Sequence, residues 1–268
     1  MDQLDGFVFT KKELLVLLDV VSASYLVGID QNQLRISSRE EHEAVVRDGI
    51  ASLIERDMMR IEEDHHILNP TLLSIAGIIA RPEVVSIATR TELDGTRRFT
   101  WYQNGYGTVE FTQPTPDQYR FAIIPNATAL VSRIQFLLPS PEETGAEINQ
   151  FMLPKAAFFE LNNLVQQSEG EKAFETLTDA GAPVEVAERL LSNMQQPVYS
   201  GNLTIMRMNG PEIIDGKDIA ILCGQDNAWT VTPMDNDPEM FDCRTFTSHS
   251  FGLIVFDAFM HLTKPEAV

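Results

Sequence analysis

The sequence predicts an α+β fold, a pseudo-twofold central antiparallel sheet flanked by two helical subdomains. Three observations carry this prediction. First, "WYQNGYGTVEFT" (101–112) reads as two short strands turning on Asn104-Gly105 and Gly107, and "AILCGQDNAWTVTP" (220–233) spells a comparable hairpin later in the chain. Second, the order of elements repeats as helices, a stopping proline (Pro82, then Pro197), four strands and one closing helix. Third, matched anchors keep a nearly constant offset: 115 from Pro82 to Pro197, 122 from Thr108-Val109 to Thr230-Val231, and 124 from Arg120 to Arg244. Element order recurring at a fixed spacing marks internal repetition. Residues 1–139 and 146–268 are therefore expected to be two pseudo-repeat halves of a single compact domain, with "PSPEETG" (139–145) as the linker.

In the first half, Lys11–Leu26 carries Leu14, Leu15, Leu17, Leu18 and Val21, a helix with a wide apolar face. Residues 27–37 read as a loop or short strand. Ser38 followed by Glu41 is a capping-box start. Val46, Ile50, Leu53 and Ile54 then give a second amphipathic helix, and runs 59–61 and 66–68 flank a polar tip as a short hairpin. Thr71–Ile79 is a third helix, stopped by Pro82. Strands follow at Val84–Thr91, Phe99–Gln103, Thr108–Thr112 and Tyr119–Ile124, with Asp94-Gly95 as a favoured hairpin turn. Asn126 caps a closing helix through Leu130, Ile134, Leu137 and Leu138.

The second half restarts with helices over Pro154–Gln167 and Glu171–Asp179, and Pro183 suits the first turn of a third helix. Strand-like runs come at Asn202–Met208, Asp218–Cys223, Ala228–Thr232 and Cys243–Thr247. Ser248 or Ser250 caps the closing helix through Phe251–Leu262.

Composition narrows the function. The chain has 268 residues, 44% hydrophobic, with no apolar run of the ~20 residues a membrane span needs. Its first residues, Met1–Asp5, are acidic where a signal peptide is positive, so a cytoplasmic protein is expected. The net charge of −19 and pI near 4.5 set the surface against phosphate backbones and anionic lipids, leaving proteins as partners. Cys223 and Cys243 are expected to be packing residues in a reducing compartment.

Catalytic and ligand motifs fail on spacing. Gly105-Tyr106-Gly107 lacks the third glycine of a dinucleotide loop, because Glu110 stands there. Gly210–Asp218 resembles a phosphate loop, but five residues separate its glycines and Asp218 replaces the Ser/Thr that holds magnesium. In "EEDHH" (62–66) the adjacent His65 and His66 would point to opposite faces of a strand. His42 belongs to no HExxH motif, since Val46 fills the second ligand place; His249 and His261 have no visible partner. No enzyme, cofactor or metal is expected.

The stretch "AVVRDGIASLIERDMMRIEEDHHILNP" (44–70) has a winged-helix look, which makes a DNA-binding regulator the alternative reading. Residues 1–70 hold 14 acidic and seven basic side chains, however, and such a surface repels phosphates.

The run "LLSIAGIIARPEVVSIATR" (72–90), an apolar helix entering Ala80-Arg81-Pro82-Glu83 and then a strand, resembles the EspG-type chaperones of type VII (ESX) secretion. "DNAWTVTP" (226–233) is similar to a late strand motif of that family. The resemblance implies a central antiparallel sheet with two helical subdomains. It also implies a cytosolic, non-enzymatic role in binding the apolar tip of a helical secretion substrate. The composition, rich in Asn, Gln, Ile and Met, departs from the Arg-, Ala- and Leu-rich family pattern.

A working surface for such a client is expected at the Asp94–Arg98 turn. "DGTRR" is a basic spot on an acidic chain, next to a strand bearing Phe99 and Trp101. The expected contact residues are Asp94, Arg97, Arg98, Phe99, Trp101 and Trp229. Pairing of Arg97 and Arg98 with nearby carboxylates is the competing reading for the arginines. Core packing is the competing reading for the tryptophans, which suit both cores and interface centres.

Overall fold

The computed structural model of the chain describes residues 6–23, 25–63, 65–141 and 149–263. Part of the expected linker (142–145), the acidic 1–5 segment, Asp64 and the His261 side chain lie outside the described residues. The chain runs β1 (Gly6–Phe9), α1 (Lys11–Val20), α2 (Gln31–Leu34), α3 (Arg39–Glu55), β2 (Met59–Glu62), β3 (His65–Leu68) and α4 (Pro70–Ala80). Next come β4 (Val84–Glu92), β5 (Gly95–Asn104), β6 (Gly107–Thr115), β7 (Gln118–Ile124) and α5 (Ala127–Leu137). The remainder is β8 (Gln150–Pro154), α6 (Lys155–Gln166), α7 (Gly170–Asp179) and α8 (Val184–Gln195), followed by β9 (Tyr199–Asn209) and β10 (Glu212–Cys223). It closes with β11 (Ala228–Pro233), β12 (Met240–Phe246) and α9 (Ser248–Thr263).

Ten strands form one sheet in the order β1-β7-β6-β5-β4-β9-β10-β11-β12-β8, and β2 with β3 makes a separate ribbon. The fold is α+β on a large antiparallel sheet, as predicted, but the sequence reading supplies only eight of its strands. β1 and β8 are the additions, and both are edges. β1 pairs Phe7 with Phe121 and Phe9 with Tyr119. In β8, Phe151 and Leu153 are buried while Gln150 and Met152 are exposed. That period-2 pattern is too short to stand out beside the helix that follows it.

The chain divides into two compact units, Met1–Ile87 with Arg98–Ala129 and Arg207–Ile214, and Ala88–Arg97 with Leu130–Met206 and Asp215–Val268. In the first unit α1 buries Leu14, Leu17 and Leu18. α3 approaches it at Gly49, where a Cβ would stand 2.6 Å from the Lys12 carbonyl oxygen. Glu13 of α1 is buried at this crossing. Its carboxylate accepts from Thr10 N (2.8 Å), Ser52 Oγ (2.7 Å) and Arg56 Nη1 (2.7 Å). Burial pushes its pKa up, but the hydrogen bonds outweigh that and hold it below the ordinary carboxylate value. α1 stops short of the predicted Leu26 because Ser22 turns left-handed, at φ +53. Residues 31–34, expected as loop or strand, form a helical turn capped by Asp30. Ser38 caps α3 as predicted, but the Glu41 carboxylate accepts from Ser37 N (2.8 Å), one residue before the cap.

In the second unit α6, α7 and α8 bring Leu161, Leu177 and Leu190 onto the sheet face made by Phe151, Leu153, Trp229, Val231 and Cys243. Pro183 precedes α8 as its cap instead of entering the first turn. α9 is capped by Thr247, not Ser248 or Ser250: Thr247 Oγ1 accepts from Ser250 N (3.3 Å) and Ser250 Oγ from Thr247 N (2.8 Å). At the C-terminus of α5, orphaned carbonyls find distant donors. Arg90 Nη1 donates to Leu137 O (3.2 Å) and the Tyr199 hydroxyl to Pro139 O (2.6 Å), with the Arg90 guanidinium 4.4 Å from the centre of the Tyr199 ring.

Candidate partner-binding surfaces

β4 ends at Glu92 and β5 begins at Gly95, so the hairpin turn is Leu93-Asp94, one residue earlier than expected. Gly95 opens β5 at φ +140, a conformation L side chains rarely adopt. Asp94, Arg97 and Arg98 are exposed, while Phe99 is half-buried and stacks on Trp101 with ring centroids 5.9 Å apart. Arg97 lies 3.7 Å from Glu92, whose other oxygen receives Arg90 at 2.5 Å. The Arg97 side chain is 62% exposed, so its pair is solvent-screened and holds the guanidinium weakly. The residue that sequence reasoning missed is Leu93, wholly exposed at the tip. A single exposed leucine is ordinary; its place between Glu92 and two cations on an acidic chain is what distinguishes it.

Trp101 and Trp229 are core residues, which corrects their expected contact role: both are 0% exposed. A buried indole needs a partner for its N–H, and each hairpin supplies one internally. Trp101 Nε1 donates to Glu110 Oε2 (3.1 Å) on the facing strand, and Glu110 Oε1 lies 3.6 Å from Arg120. Trp229 Nε1 donates to Asn227 Oδ1 (2.9 Å) in its own turn. Behind that turn Asn193 of α8 donates from Nδ2 to both Asn227 O (3.0 Å) and Asn227 Oδ1 (2.8 Å). Gly224 leaves room for it, since a Cβ there would lie 2.0 Å from Asn193 Oδ1. The two similarly spelled hairpins therefore do related structural work. Their turns differ in length, Gly105-Tyr106 in one and Gly224–Asn227 in the other.

Two depressions border these hairpins among the described residues. In the first unit, Val20, Val21, Leu73, Ile78 and Tyr106 wall an open groove of about 1050 Å³ beside the β5–β6 turn. In the second, Thr230, Thr232, Asp257 and the ion pairs Lys217–Asp235 (2.9 Å) and Arg244–Asp242 border a cleft of about 490 Å³. The cations of this cleft are matched by carboxylates. The phosphate-loop-like run is a two-residue turn, Gly210-Pro211, leading into β10, so it is shorter than its sequence suggests.

Burial pushes the Cys223 thiol up to about 11 and the Cys243 thiol up to about 12, leaving both uncharged at neutral pH. Among the described residues, no three His, Cys, Asp or Glu are grouped to hold a metal ion. In the N-terminal helices and hairpin, Lys12 pairs with Asp48, Arg39 with Glu43, Arg56 with Glu13 and Arg60 with Glu62. These cations are spent on neighbouring carboxylates, an arrangement that does not favour phosphate contacts. No helix among the described residues is long and apolar enough to cross a membrane.

No protein-family model and no curated protein matches the sequence. Its fold is similar to that of the Mycobacterium tuberculosis type VII secretion system chaperone EspG5, solved in complex with a PE25-PPE41 dimer. The TM-score is 0.71 at 10% identity, over 98% of each chain. At that identity the likeness establishes the fold.

Proposed function

We propose that this chain is a non-enzymatic cytoplasmic chaperone or adaptor that binds a helical, apolar-tipped protein client, of the type VII secretion-substrate kind. The full-length fold likeness to a secretion chaperone carries the reading. The chain's own surface supports it: Leu93 offers apolar area at a hairpin tip, and Arg97 and Arg98 offer adaptable donors for the exposed carbonyls at a helix end. The contact set is then Leu93, Asp94, Arg97, Arg98 and the half-buried Phe99. We also read residues 1–139 and 146–268 as pseudo-repeat halves, supported by the strand runs β7-β6-β5-β4 and β12-β11-β10-β9.

The test is affinity capture from native cell extract with the wild type and with Arg97→Glu/Arg98→Glu. The wild type is expected to recover a helical protein and the variant to lose it. Thermal stability should stay within about 0.5 kcal/mol, as for most surface substitutions. Equal recovery by both would place the site elsewhere. Salt-sensitive retention of nucleic acid by the wild type would overturn the reading in favour of DNA binding.

A further inference from the structure

A second surface in the second unit has no role in that reading. α9 buries Phe251, Val255, Ala258, Phe259 and Leu262 inward. Its outward side carries Leu253, Phe256 and Met260, a helical stripe 53%, 47% and 42% exposed. Beside it, α5 is held close through Gly252, where a Cβ would stand 2.8 Å from Gln135 Nε2, and through the Gln135 Nε2 donation to Ser248 O (2.5 Å). α5 adds Phe136, 57% exposed. Gln135 and Val131 of α5 fill the space over Gly252, so the two helices meet without a gap and their exposed apolar side chains flank that seam.

We propose that this α5–α9 face receives a single amphipathic helix of another protein, with an apolar stripe edged by Lys or Arg. Size argues against a second copy of this chain. The stripe spans about 10 Å of helix and two packed helices are about 20 Å across, so the face covers on the order of 200 Å². A stable dimer needs roughly 800 Å² per partner. One helix laid across this face fits the smaller footprint. Charge argues the same way. Two chains of −19 repel each other, while Asp257, exposed one turn from Leu253 along α9, offers a carboxylate to a basic edge.

The probe is a synthetic, fluorescein-labelled 18-residue peptide with leucines at helical i, i+3, i+4 and i+7 positions and lysines on either side, titrated with the full chain by anisotropy. Micromolar binding that weakens with salt is expected, with no binding by the same peptide carrying glutamates. Leu253→Ser/Phe256→Ser/Met260→Ser should raise Kd at least tenfold, whereas Arg97→Glu/Arg98→Glu should leave it unchanged. This last result keeps the present test separate from that of the client reading. Wild-type affinity in the serine variant would mean that the acidic surface merely gathers cations, and would overturn the proposal. A wild-type dimer in sedimentation velocity that the serine variant abolishes would make the occupant a second copy, also overturning it. Should the serine variant fail to fold, a benzophenone-bearing peptide cross-linked to the wild type decides. Adducts within 249–260 or 128–136 support the site, and adducts confined elsewhere refute it.

Discussion

Replacing Gly224 by alanine tests the lock between the β10–β11 turn and α8. Gly224 is not in the left-handed region, so alanine fits its backbone and the perturbation is steric alone. The added methyl would meet Asn193 at 2.0 Å from Oδ1 and 2.5 Å from Cγ, closer than any real contact. Asn193 is 5% exposed and must swing away, breaking its two donations to Asn227. Asn227 keeps Gly224 N and Trp229 Nε1 as donors, so the cost is two hydrogen bonds at about 1 kcal/mol each plus about 1 kcal/mol for the buried Asn193 amide left unpaired, about 3 kcal/mol in all. For a chain of this length that is a fall of about 5 °C in Tm, from roughly 2.1 cal/mol/K of unfolding entropy per residue. Urea melts of wild type, Gly224→Ala, Asn193→Ala and the double variant complete the cycle. If Asn193 is the obstacle, the double variant is no less stable than Asn193→Ala alone, because truncation removes the clash. Additive losses across the cycle would refute the steric argument and place the cost in the turn itself.

Glu13→Gln should cost about 2–3 kcal/mol at neutral pH, the worth of hydrogen bonds to a buried charge. The folded carboxyl lies below its ordinary value, so its contribution is complete above the unfolded pKa of about 4.3. It fades as pH falls through the folded value. The deficit of the variant should therefore shrink in urea melts below about pH 4, and a pH-independent deficit would contradict the depressed value. Cys223 and Cys243 should resist a thiol-reactive disulfide reagent in the native chain and both react in urea. Reaction of either at a free-thiol rate without denaturant would show that it is not buried.

Much of the fold is legible in the sequence because its elements are long and periodic. Leu130, Ile134 and Leu137 on one helical face, and Pro82 ending an apolar helix, are local signals that survive tertiary packing. β1 and β8 are not legible because four or five residues carry too little alternation, and their partners, Phe121 and Cys243, lie far along the chain. The binding surface is legible only in part. "DGTRR" marks a basic turn, but Leu93 escapes notice because it reads as the apolar end of a strand. The tryptophans mislead for the opposite reason: residue type alone does not say whether an indole N–H finds its partner within the chain or across an interface. Here Glu110 and Asn227 answer that, and only the folded hairpins bring them into reach.

The capping of α5 has a consequence in time. The Leu137 carbonyl is met by Arg90, made earlier, but the Pro139 carbonyl just past the helix waits for Tyr199, 60 residues further on, and the first compact unit includes Arg207–Ile214. As the chain leaves the ribosome at roughly 5–20 residues per second, the leading half spends several seconds with the turn after its closing helix unanchored and its last strand partners unsynthesised. Those seconds fall when Ile78, Ile79 and the sheet aromatics are already made, so the growing polypeptide is most prone to wrong association just before residue 214 emerges. The growing chain itself would need shelter at that stage of its synthesis.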